Sequence, residues 1–228
     1  LRTCPNLVRV HVENCGSLTG AWLNYAAPLK KLEALVVVSG AKSDTTGING
    51  FLTESLLSVT LRDCPADDAT LAALARSKKL RGLYLRDSKV TDAGMAYLAG
   101  LKELVSLNVT DTPVTMEGMK ALGKPSLLTL GFGKDPEDTA AAPPQLGVQF
   151  PKVETFLVPG APSAGTAAQV AAIGTAWPKL KKLDFPSYMS FEDNAFDEAG
   201  RLFPELNYLY LWQDKVTDQH LQGISQMK

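Results

Sequence analysis

The 228-residue chain is 45% hydrophobic, 21% charged and 7% aromatic, and its 23 basic and 24 acidic side chains leave a net charge of −1. That composition belongs to a globular protein and not to a disordered tail. It lacks the basic excess of a nucleic-acid partner, and no apolar run reaches the roughly 18 residues a membrane-spanning helix needs. The opening Leu1-Arg2-Thr3-Cys4-Pro5 has no charged segment followed by an apolar core, so it does not read as a signal peptide. A leader removed ahead of Leu1 would leave the same start.

A spacing of the form Leu-x-x-Leu-x-Leu, with Val or Phe allowed, begins at Leu7 and returns at Leu32, Leu56, Leu80, Leu104, Leu127, Val153, Leu180 and Leu206. The steps between these starts are 25, 24, 24, 24, 23, 26, 27 and 26 residues, so about nine repeats fill the chain. The alternation of apolar and variable residues in each first half predicts a strand with one buried face. The first repeat (Leu7, Val10, Val12) follows Cys4-Pro5. Pro again stands two residues before a repeat start in Phe150-Pro151, Trp177-Pro178 and Phe203-Pro204. A proline there ends the preceding helix and sets an extended entry, and the apolar residue before it is expected to plug the core.

The second halves read as helices where they are clearest. After Leu80 comes Val90-Thr91-Asp92-Ala93-Gly94-Met95, with Met95, Leu98 and Leu101 at helical spacing and Thr91 or Asp92 as the N-cap. Val114-Thr115 repeats half of this, with Met116 in place of Asp, and Val216-Thr217-Asp218 repeats all of it. After Gly133 the helix signal fails. Lys134-Asp135-Pro136-Glu137-Asp138 and the adjacent prolines Pro143-Pro144 argue against a full helix and for an insertion loop. Pro159-Gly160-Ala161-Pro162 reads as a second loosened segment.

Strands and helices of this size bury their apolar faces only by stacking on neighbouring copies. Strands stack at about 4.8 Å and helices at roughly twice that, so the stack is expected to curve toward its strands. The copy from Leu80 to Met95 resembles the bacterial "VTDAGL" type of leucine-rich repeat, and Cys4-Pro5-Asn6-Leu7 through Asn14-Cys15 resembles the cysteine-containing type. The resemblance covers the whole chain. It implies an α/β fold, a right-handed solenoid or horseshoe with a parallel sheet on the concave face and helices and loops on the convex face. It also implies recognition of other macromolecules, mostly without catalysis. The expected organisation is one domain over 1–228, read as a section of a longer array because both ends cut through a repeat, with end-to-end self-association as a consequence.

Catalytic and cofactor motifs do not assemble. Cys15 and Cys64 share a repeat position but lie two layers, about 10 Å, apart. With Cys4 they are expected to be free thiols in small buried niches, favouring a reducing, cytoplasmic compartment over export. No C-x-x-C or histidine pair is available for zinc, and no cofactor is expected. His11 falls on the sheet face of the first copy and His220 in the last helix, so they cannot share an active site. The near P-loop Gly118–Pro125 has Pro125 where the magnesium-binding hydroxyl should be, and Gly123 reads as a helix C-cap. Asn108-Val109-Thr110 matches a glycosylation sequon but falls in a strand.

The residues between the buried positions of each strand point to the sheet's open face. There Arg62, Tyr84 and Arg86 form a basic-aromatic group, with Asn108 beside them, and Tyr208, Tyr210 and Trp212 form an aromatic one. These side-chain types dominate interface energies. Arg62 and Arg86 are expected about 5 Å apart at the backbone, which points to an acidic ligand between them. The sequence therefore reads as a non-catalytic scaffold binding a protein or peptide, with no nucleic-acid and no membrane partner. The alternatives are the targeting arm of a larger multidomain protein or enzyme, and a carbohydrate or small-ligand binder that stacks on the last three aromatics.

Overall fold

The computed structural model describes residues 4–15, 20–25, 29–38, 54–123, 126–134, 143–159, 165–186, 189–211 and 216–225. The chain divides into two compact units, Leu1–Ser126 and Leu127–Lys228. Both are built from the same strand–turn–helix repeat, and within each the paired strands run parallel.

The first unit holds β1 (Arg9–Glu13), β2 (Ala34–Val38), β3 (Ser58–Arg62), β4 (Gly82–Tyr84) and β5 (Ser106–Asn108), paired in chain order. A short 3-10 helix (Gly20–Tyr25) follows β1, and α1 (Asp68–Leu74), α2 (Asp92–Leu98) and α3 (Met116–Leu122) follow β3, β4 and β5. The second unit holds β6 (Thr129–Gly131), β7 (Thr155–Leu157), β8 (Lys182–Asp184) and β9 (Tyr208–Tyr210), followed in turn by helices Pro143–Gln149, Ala167–Ala176, Ala199–Leu202 and Asp218–Ile224.

Every strand starts two residues after a repeat start of the Leu-x-x-Leu-x-Leu spacing. Val10, Leu35, Val59, Leu83 and Leu107 lie side by side across the first unit, and Leu130, Phe156, Leu183 and Leu209 across the second. Leu35, Val59, Leu83, Leu107 and Leu130 have no solvent exposure, so truncating any of them to Ala should cost about 2–5 kcal/mol. One carbonyl per repeat, at Val8, Glu33, Leu57 and Arg81, accepts from two successive amides of the next strand and locks this register.

The aromatic residues before proline are core plugs as expected: Phe150, Trp177 and Phe203 are 1, 2 and 3% exposed, and the Trp177 indole donates to the Phe150 carbonyl at 3.1 Å. Cys4, at the same position of the first repeat, is exposed. The expectation of three buried thiols therefore holds for Cys64 and fails for Cys4, while Cys15 is half-buried. All three are free. Cys15 and Cys64 do share a role: each thiol donates to the carbonyl two residues back, Glu13 at 3.3 Å and Arg62 at 3.2 Å.

The loop expected around Pro143-Pro144 is also corrected. These prolines open the helix Pro143–Gln149, whose Leu146 is fully buried. First-turn amides have no intrahelical acceptor, so proline loses nothing there. The segments 135–142 and 160–164 lie outside the described residues.

Candidate functional site

The described strands turn every other residue to the side away from the helices. Across the first unit the middle row of that face is His11, Val36, Thr60, Tyr84 and Asn108, each the registered neighbour of the next. The structure thus brings Tyr84 and Asn108 onto adjacent strands, with Arg62 at the end of β3 and Arg86 just beyond β4. Tyr208 and Tyr210 lie on β9 of the second unit, and Trp212 lies outside the described residues.

Tyr84 does not stand away from the sheet. A methyl group placed on Gly82 would lie 3.2 Å from the Tyr84 ring edge, so the ring folds back over the one residue of its strand that leaves room. Its hydroxyl is 2.7 Å from the Ser106 hydroxyl one strand away. A half-buried aromatic ring is pinned at both ends. Asn108 turns inward as well: its side-chain oxygen accepts from the Thr110 amide and hydroxyl, both at 2.9 Å.

The two arginines do not need an external anion to meet their charge. Arg62 Nε lies 3.6 Å from Asp63, and Arg86 Nε lies 2.9 Å from Asp111 and 3.4 Å from Asp87. The Coulombic reason for expecting an acidic ligand is therefore answered within the chain. These carboxylates are the residues the sequence reading missed. Asn14, Asp63, Asp87 and Asp111 occupy the same repeat position and all have φ between 54° and 59°. This left-handed turn out of each strand is one that Asn and Asp tolerate better than other side chains, and the recurrence of Asn or Asp seven residues after a repeat start was the available signal. Burial holds the Asp87 carboxyl above its ordinary value despite Arg86, and the Asp63 carboxyl beside it pushes the same way.

In the second unit, Tyr208 is 59% and Tyr210 37% exposed. Lys182 Nζ sits 4.5 Å above the Tyr210 ring and 3.8 Å from Asp184, so that ring face already carries a cation. The histidines are far apart in role. His11 is exposed, 3.5 Å from Glu13. His220 is 2% exposed; its Nδ1 accepts from the Thr217 amide at 2.9 Å and its Nε2 donates to the Glu192 carbonyl at 3.0 Å. Among the described residues, no group of three or more His, Cys, Asp or Glu side chains is placed to hold a metal ion.

No family model and no curated protein matches the chain. Among solved structures it is similar to internalin C2 of Listeria monocytogenes, at 17% identity and a TM-score of 0.51, over 93% of this chain and 83% of that one. Internalin F of the same organism (16% identity, TM-score 0.40, 100% of this chain and 69% of that one) and the actin-binding site 2 of leiomodin-1 (19%, 0.36, 57% and 72%) are more distant in shape. The repeat geometry and the internalin C2 likeness together give the fold.

Proposed function

We propose that this chain, an α/β leucine-rich repeat solenoid, is a non-catalytic recognition scaffold whose first unit binds a protein or peptide on the open face of its sheet. The observation that carries the reading is the pinned ring of Tyr84. A large side chain already held in place by Gly82 and Ser106 contributes contact area without losing rotamer freedom on binding. Such preorganised aromatic anchors are what interface hot spots are made of. The absence of a catalytic role fits the histidines, since His220 is buried with both ring nitrogens engaged. The sugar-stacking alternative is weaker because Lys182 covers the Tyr210 ring.

The test is affinity for a partner captured by the full chain. Tyr84→Ala should weaken it by about 2 kcal/mol, or roughly 30-fold, with unchanged far-ultraviolet circular dichroism. Arg86 is a poorer choice, because its removal takes a partner from the 10%-exposed Asp111 and mixes folding with binding. Full affinity in the folded variant would move the site off this face.

A further inference from the structure

Resting on that reading, we infer that the segment recognised around Tyr84 is basic: a Lys- or Arg-bearing peptide whose aliphatic stem lies on the Tyr84 ring while its charge meets the carboxylates at the ends of β3 and β4. The face supplies both halves of such a contact. On one side of Tyr84 the middle row continues through Thr60 to Val36, and β2 presents only Ala34, Val36 and Val38, all half-buried. This apolar floor suits a methylene stem or a small apolar neighbour of the basic residue.

The polar half lies along the ends of the strands. Arg62 and Arg86 are the cations there, and they face Asp63, Asp87 and Asp111 in contacts of 2.9–3.6 Å. Glu13 ends β1 in the same row. Carboxylates outnumber guanidiniums, and the excess lies where Asp87 and Asp63 adjoin. Asp63 and Asp87 are both about half exposed, with side chains 50% and 46% accessible, so an arriving ammonium or guanidinium can reach them. The tied arginines act as walls that fix the carboxylates and repel a second cation set in the wrong register. The Tyr84 ring, negative on its face, adds to the same preference. An acidic segment would instead meet the carboxylates of Asp63, Asp87 and Asp111 at the ends of β3, β4 and β5.

The probes are an alternating Gly-Lys peptide and an alternating Gly-Glu peptide of equal length, added to the full isotope-labelled chain at low ionic strength. The Lys peptide should shift the Tyr84 ring resonances and the Thr60 and Asn108 amides in a saturable way, while the Glu peptide leaves them in place. Asp63→Asn with Asp87→Asn keeps side chains that accept the left-handed backbone, and should weaken the Lys peptide about five-fold or more. A Glu peptide that binds these resonances as well as the Lys peptide does would overturn the basic assignment while leaving the face as the site. No shift with either peptide, or an unchanged affinity in the double variant, would also overturn it. The Tyr84 substitution then judges the face independently.

Discussion

The Asp92 carboxylate accepts two hydrogen bonds from Thr115, from its amide at 2.7 Å and from its hydroxyl at 2.6 Å, although the two residues lie one repeat apart. Asp68 receives the same pair from Thr91, at 2.8 and 2.6 Å. In α2 and α3 the N-cap is the threonine, and the aspartate that opens the helix one repeat earlier, Asp68 or Asp92, holds it. Of the two caps the sequence offers, Thr91 caps its own helix, and Asp92 holds the capping threonine of the next. Gly94 and Gly118 complete the device, because a methyl group there would come within 2.3 Å of Asp68 Oδ1 and 2.4 Å of Asp92 Oδ1.

Gly118→Ala should therefore destabilise the first unit by about 1–3 kcal/mol, since the added carbon would also lie 2.9 Å from the Asp92 backbone, which cannot swing aside. Urea denaturation measures this. Gly123→Ala at the end of the same helix meets no neighbour but sits at φ 83°, so its cost is backbone strain alone, about 1–2 kcal/mol. If Asp92→Ala relieves most of the Gly118→Ala penalty, the carboxylate is the obstacle; no relief would place the clash on the backbone.

Asp87 gives a signed pH dependence. Its carboxyl is held above its ordinary value in the fold, so it binds a proton more readily folded than unfolded, and protonation favours the native state. The penalty of its charged form is present at neutral pH and relieved as pH falls through the raised value. Asp87→Asn should raise the denaturation midpoint at pH 7, and the gain should vanish below about pH 4. A variant less stable than the parent at pH 7 would mean that the Arg86 contact outweighs burial.

His220 anchors the last helix of the second unit to the preceding repeat. Replacing it with Ala leaves the Thr217 amide and the Glu192 carbonyl without the ring and opens a space beside Phe191 and Phe196. The expected loss is about 2–4 kcal/mol, measured by chemical denaturation. A loss below about 0.5 kcal/mol would show that the helix is held by other contacts.

Thiol labelling of the native chain should run in the order Cys4, Cys15, Cys64. Cys4 is exposed, and Cys64 is buried with its Sγ also 3.7 Å from the Val37 carbonyl. Equal rates at all three would contradict the burial of Cys64.

What the sequence made legible was everything set by a period. The strand positions followed from Leu, Val and Phe recurring at fixed offsets, because burying one face of a strand leaves a repeat-by-repeat mark. The conformation of Tyr84 was not legible, since it depends on Gly82 in its own strand and Ser106 in the next. The carboxylates that neutralise Arg62 and Arg86 do recur seven residues after a repeat start, but the shortest of the pairs, Arg86 to Asp111, joins two repeats and is visible in neither copy alone. The helix at Pro143 was hidden because proline is read as a breaker unless its place in the first turn is known.

Recognition on the sheet face at Tyr84 can be read out by site-specific photocrosslinking. A benzophenone side chain at Tyr84 is compared with one at Tyr97, which is 50% exposed on the outer side of α2. The account predicts a covalent adduct with the captured partner from position 84 and none from position 97. An adduct from position 97 alone, with both proteins folded and binding, would contradict it.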